Sequence, residues 1–387
     1  MEYEWLNKSS MITRLLRSPV LYITAVILTI TLVILGLRYY TSSYVPAAHI
    51  VYPMVRDYYD TPSAFDISPD DKYIACLDYD HALKVWSMPD IHLAATCKLP
   101  RYAETDSMTW LANDRDIAVN NGVWMQNCIG TLANSSYHVT QQRIGSWPPS
   151  GSPKTFKISP SGTLVAEAWD DGALQIWNGA THHTVLLSGP SSPMDLTRFE
   201  LYGIAFSPDS SIVAAVYFPI TYDPNERMGI AGQSAQVRMY DSITGRLRRS
   251  CEWKIDQTFV EGTGSVSIAV SQNNKYVAAA ANMSSGSDGN ASVLIAATGQ
   301  KQCNLDVGGS CSQISFINGT PYVAVSVAAD GIRICNYDTG KHVHTFHDRE
   351  ITQRFVVSRD GRYLASSYVN PDDKSNVINL WDLKTAL

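Results

Sequence analysis

Three histidines near the C-terminus, His342, His344 and His347, have the strongest metal-like spacing in the chain. Residues two apart on a strand share a face, so His342 and His344 with His347 could form a ligand set. His182-His183 has no Cys or carboxylate near it and reads as a turn pair. The seven cysteines, Cys76, Cys97, Cys128, Cys251, Cys303, Cys311 and Cys335, contain no C-x-x-C pair and no zinc spacing. Their odd number leaves at least one free or paired between chains, and the simplest reading is buried thiols acting as small apolar groups. Gly262-Thr263-Gly264 lacks the strand–helix setting of a phosphate loop. The chain has no G-x-S-x-G elbow, no Walker sequence and no zinc-protease helix. Arg246, Arg248 and Arg249 put three cations on one strand, the pattern of an outer edge guarded by charge. These residues predict no catalytic group, no cofactor and no metal.

The formal net charge of −6 argues against nucleic acid as a partner, because phosphate binding needs a clustered positive surface. A different partner is written near the N-terminus. No charge occurs between Arg17 and Arg38, and as a helix that run is about 30 Å long, the thickness of a hydrocarbon core. Pro19 suits a first turn, and Gly36 with Tyr39-Tyr40 suits an interface. Threonines in the run can bond back to helix carbonyls. The run is longer than the apolar region of a cleaved signal peptide. Residues 18–38 are therefore expected to be a transmembrane helix acting as a signal-anchor, with 1–17 as a short tail and 39–48 as a linker. Lys8, Arg14 and Arg17 before the helix outweigh Arg38 after it, which predicts a cytoplasmic N-terminus and a C-terminal domain across the membrane. The alternative keeps that domain in the cytoplasm.

From residue 64 onward one unit recurs: an apolar strand, a Ser-Pro-Asp-Gly-like turn and a second strand. It is clearest at Ile67-Ser68-Pro69-Asp70, Ile158-Ser159-Pro160-Ser161-Gly162, Phe206-Ser207-Pro208-Asp209 and Val357-Ser358-Arg359-Asp360-Gly361. Worn copies surround Trp110, Ser271 and Phe316. One alanine column runs through all of them: Ala75, Ala118, Ala166, Ala214, Ala278, Ala324 and Ala365, at spacings of 43, 48, 48, 64, 46 and 41 residues. A period near 40–45 residues is that of propeller blades. Small residues suit inner strands that neighbouring blades cover on both faces. A turn and a third strand follow, most clearly at Asp80–Trp86 and Asp171–Trp177, and also at Gln236–Asp241, Ile332–Asn336 and Val377–Asp382.

At these residues the chain resembles the WD-repeat family over roughly residues 49–387, as a membrane-anchored member with degenerate repeats. Only Trp381-Asp382 is a Trp-Asp pair closing a third strand, and the family's His is matched clearly only by His347, so its Asp-His-Ser-Trp network is mostly absent. The match also gives His347 a structural role and places His342 and His344 on an outer strand. The resemblance implies an all-β, seven-bladed β-propeller preceded by one transmembrane α-helix. It also implies a protein-binding scaffold or receptor rather than an enzyme. The rival reading is a lactonase- or hydrolase-like propeller with a metal in its central channel.

The last copy stops at its third strand, so the strand-like stretch His49–Val55 is expected to supply the fourth and close the ring. In such a blade the fourth strand starts on the face of the Ser-Pro-Asp-Gly turns, which puts the tether there. The long loops then lie on the far face or in connectors between blades. They contribute Trp147, Met194, Phe218, Tyr222, Asp223 and Arg227 as candidate partner-binding residues. Asn134, Asn282, Asn290 and Asn318 are glycosylation acceptors by sequence, consistent with a glycoprotein.

Overall fold

The structure is a computed structural model that describes residues 24, 26–36, 45–52, 64–77, 82–98, 107–111, 116–120, 124–131, 136–143, 155–169, 172–181, 183–188, 197–221, 230–231, 234–255, 265–282, 290–328, 330–347, 354–370, 372 and 375–387. Its described strands form seven antiparallel sheets, six of them built from strands that follow one another in the chain and the seventh from the two ends of the chain. The first strands of sheets one to seven are Ala64–Ile67, Ser107–Trp110, Thr155–Ile158, Thr197–Phe206, Ser265–Val270, Cys311–Ile317 and Arg354–Val357. Each of these inner strands touches the next, and the last touches the first. The architecture is an all-β propeller.

The core lies in the seams between sheets rather than within any one of them. One seam packs Ala75, Leu77 and Val85 of sheet one against Met108, Trp110 and Ile117 of sheet two. The other neighbouring pairs each have their own cluster, including Phe65, Ile74 and Trp86 of sheet one against Tyr363, Ala365 and Leu380 of sheet seven. Every alanine of the column is fully buried. Each sits on a second strand between two partners: Ala75 pairs with Asp66 and Val85, and Ala365 with Val356 and Leu380. With sheets on both sides there is no room for more than a methyl group.

The turns are fastened by their own side chains. Ser68 Oγ donates to Asp70 Oδ1 at 2.8 Å and accepts from Tyr73 N at 2.9 Å. The same two bonds recur at Ser207 with Asp209 and Ile212, at Ser271 with Asn273 and Tyr276, and at Ser358 with Asp360 and Tyr363. The fourth residue of each turn is left-handed, as at Asp71, Ser210, Asn274 and Gly361. At Gly361 a Cβ would lie 2.1 Å from the Asn318 carbonyl of the preceding sheet, so only glycine fits.

Sheet seven is completed from the other end of the chain. Ala48–Tyr52 pairs antiparallel with Asn376–Asp382, with Ala48 opposite Leu380, and Ala47 N donates to Leu380 O at 2.8 Å. Leu380 is also opposite Ala365, close to the Ser358–Gly361 turn. The chain thus enters the propeller at the turn face.

Residues 24 and 26–36 are helical, with side chains exposed, and Thr31 Oγ1 donates to Ile27 O at 2.8 Å as expected of a helix threonine. No helix among the described residues is long and apolar enough to cross a membrane. The rest of the expected 18–38 span lies outside the described residues. The expectation that Phe218 lies in a long loop is corrected: the second strand of sheet four runs through Thr221, and Tyr217, Phe218 and Ile220 are fully buried.

The packing argument has a direct check. Ala278→Leu should lower unfolding stability by about 1–3 kcal/mol, because the added methylenes have no void to enter. The measurement is the urea midpoint, and an unchanged midpoint would contradict tight cover on both faces of the column.

Candidate functional site: the central channel

The inner strands enclose a channel with a cavity of about 510 Å³. Asp66, Thr109, Lys157, Ser267, Gln313 and Ser315 line its wall, and Pro69, Pro160, Pro208, Asn318 and Arg359 surround its mouth on the turn face. The wall is tied from sheet to sheet by polar side chains. Asp66 Oδ2 accepts from Trp110 N at 2.9 Å and Thr109 Oγ1 at 3.1 Å, linking sheets one and two. Ser267 Oγ accepts from Ile314 N at 3.1 Å, linking five and six. Gln313 links six and seven twice, donating to Phe355 O at 2.6 Å and accepting from Phe355 N at 3.0 Å. These bonds satisfy backbone groups on inner strands that have no further strand to pair with. Between sheets four and five, Gly203 lies so near Val266 O that a Cβ would sit 3.2 Å from it.

Two charged groups stand in this wall. Asp66 and Lys157 occupy equivalent places, opposite Ala75 and Ala166, where sheets four and five carry Ala205 and Ala269. Burial pushes the Asp66 carboxyl up to about 6, against the three donors, Trp110 N, Thr109 Oγ1 and Ile67 N, that favour its charge. Lys157 retains water contact along the channel yet has protein on every side. Enclosure, and then the cation Arg354, lower its ammonium, with Asp66 opposing both. Sequence reading missed both residues. The available signal was a charge inside an apolar inner strand, as in Phe65-Asp66-Ile67 and Phe156-Lys157-Ile158.

The expected site residues are distributed differently. Trp147, Met194, Tyr222, Asp223 and Arg227 lie outside the described residues. Phe218 is not a surface anchor: it is fully buried, edge-on to Tyr202 with ring centroids 5.4 Å apart. Of the glycosylation acceptors, Asn134 lies outside the described residues. Asn282 accepts a hydrogen bond from Ser310 Oγ, Asn318 Nδ2 donates to Arg359 O at 3.0 Å, and Asn290 is half-buried where a strand starts. Asn282 and Asn318 are thus engaged in the fold rather than presented as free amides.

The three histidines do not converge. His342 Nε2 is 2.8 Å from Thr345 Oγ1 on the outermost strand, His344 is buried against Phe346, and His347 Nδ1 lies 3.8 Å from Asp330. No group of three His, Cys, Asp or Glu among the described residues has metal-site geometry. None of the six described cysteines forms a disulfide to another described residue. Burial raises Cys251 to about 11 and Cys311 and Cys335 to about 12, which makes them poor nucleophiles. Arg248 pairs with Asp241 at 2.5 Å on an outermost strand. One piece of the Asp-His-Ser-Trp network is present: Trp381 Nε1 donates to Ser366 Oγ at 3.0 Å.

The Asp66 shift has a consequence for stability. Its folded value of about 6 lies above the ordinary 3.8, so its stabilisation is complete below about pH 4 and is lost as pH rises through 6. Thermal melts at pH 5 and pH 7.5 should differ less for Asp66→Asn than for the unaltered chain. An identical difference in both proteins would contradict a protonated, buried Asp66.

No protein-family profile matches the chain, and no curated protein does. Among solved structures, a chain in a crystal structure of a mitotic checkpoint complex matches with a TM-score of 0.58 and 14% identity, over 87% of this chain and 91% of that one. At that identity the likeness is one of fold.

Proposed function

We propose that this chain is a membrane-tethered, seven-bladed propeller that acts as a non-catalytic protein-interaction scaffold or receptor. The observation that carries the reading is the entry of Ala48 beside Leu380 at the turn face. A tether through residues 41–48 would hold that face toward the bilayer, since at about 3.3 Å per residue it reaches under about 30 Å. The exposed apolar side chains of the helical residues, from Val26 to Leu35, support an anchor at 18–38. The basic flank of Lys8, Arg14 and Arg17 favours an N-terminus in the cytoplasm and the propeller on the lumenal or extracytoplasmic side. The second strand of sheet four ends at Thr221, opposite the turn face. Partner contacts through Trp147, Met194, Tyr222, Asp223 and Arg227 would then lie in membrane-distal loops and inter-blade connectors. Aromatic and arginine residues are the usual anchors of such surfaces.

Two measurements test this. In sealed native vesicles, the propeller should resist added protease until detergent is present, and digestion without detergent would place it in the cytoplasm. In co-purification from those membranes, Tyr222→Ala combined with Arg227→Ala should cut partner recovery at least tenfold with an unchanged melting temperature. Unchanged recovery would remove the loop from the interface.

A further inference from the structure

Among its described residues the channel wall holds one lysine and one carboxylate, with further cations toward its two ends. Lys157 makes no hydrogen bond or ion pair to a described residue. Asp66, its electrostatic counterpart, has its oxygens occupied by Trp110 N, Thr109 Oγ1 and Ile67 N. Arg354 opens the inner strand of sheet seven, two residues before the wall residue Val356, and acts on Lys157 as a like charge. Arg359 adds another cation at the mouth. Asp66 is the only carboxylate among the described lining residues. Thr109, Thr155, Ser267, Gln313 and Ser315 supply neutral polar groups around the same space. A cavity of about 510 Å³ exceeds what an inorganic anion needs and lies within the size range of small-molecule sites.

We propose that the central channel binds a small anion carrying phosphate or carboxylate groups, with Lys157 as the principal contact and Arg354 and Arg359 completing the positive field. Arg354 acts on Lys157 as a like charge, and a bound anion offsets that repulsion. Entry would be from the turn face, through the ring of Pro69, Pro160, Pro208 and Arg359. This site is separate from the distal loops, so loss of partner capture there would leave it untouched.

The test is calorimetric titration of the full-length chain in non-ionic detergent, at low ionic strength and without phosphate buffer. Inorganic phosphate is the probe in one arm and citrate in the other, and the tighter of the two identifies the favoured anion class. The expected result is saturable one-to-one binding of at least one probe. It should weaken at least tenfold in Lys157→Met and in Arg354→Gln, and stay unchanged in Lys301→Met on an exposed outer strand. The anion-free melting temperature of Lys157→Met should equal or exceed that of the unaltered chain, because an enclosed charge has been removed. Absence of saturable binding in both arms, or unaltered affinity in Lys157→Met, would overturn the proposal. A lowered anion-free melting temperature in Lys157→Met would overturn it too, by making the lysine a structural group. If Lys157→Met does not fold, the lysine is likewise structural.

Discussion

Everything in this molecule depends on sheets covering one another on both faces around a ring. That constraint decides which residues the second strands can carry. At the point of closest approach only a methyl group fits, and Ala75, Ala118, Ala166, Ala214, Ala278, Ala324 and Ala365 are all fully buried there. Larger apolar side chains lie further out in the seams, where Trp177 and Trp381 of third strands fill the space between diverging sheets. No sheet has a core of its own, so each depends on both neighbours. Closure by Ala48–Tyr52 is therefore more than the covering of an edge, because it holds sheet seven in place against sheet one.

The same convergence creates the channel. Inner strands pair on one side only, and their remaining backbone groups meet side chains from the next sheet, as Asp66, Ser267 and Gln313 show. A residue that serves this purpose is forced into an enclosed space whatever its charge. Asp66 accepts a raised protonation value as the cost of bridging to Trp110. Lys157 does no such bridging, which separates it from a structural polar residue and gives the channel its chemical character.

The repeat was legible because it is local. A β-branched or leucine residue followed by alanine, a serine turn and a strand can be counted from the chain alone, as can the missing last strand. The channel charges were not legible, since the groups that shift Lys157 come from sheets one and seven, far away in sequence. The assignment of Phe218 to a loop failed for a different reason. Pro219 and its aromatic neighbours look like the start of an irregular segment, but the strand continues through them. Pro219 stays opposite Phe199 of the first strand, but on its other side the pairing with the third strand reaches only Tyr217 and that with Ile230–Ala231 begins at Ile220, so a missing N–H is tolerated on that side. The long loops beyond carry the other candidates, and nothing in a repeat pattern specifies their chemistry.

Closure of the ring by the N-terminal strand links the fold to the orientation of the channel mouth. Hydrogen–deuterium exchange on the full-length chain addresses it directly. The hydrogen-bonded amides of Ala48–Tyr52 should exchange as slowly as those of Asn376–Asp382, since the two strands form one ladder. Exchange of Ala48–Tyr52 at the rate of an unstructured peptide, with Asn376–Asp382 still protected, would contradict the account.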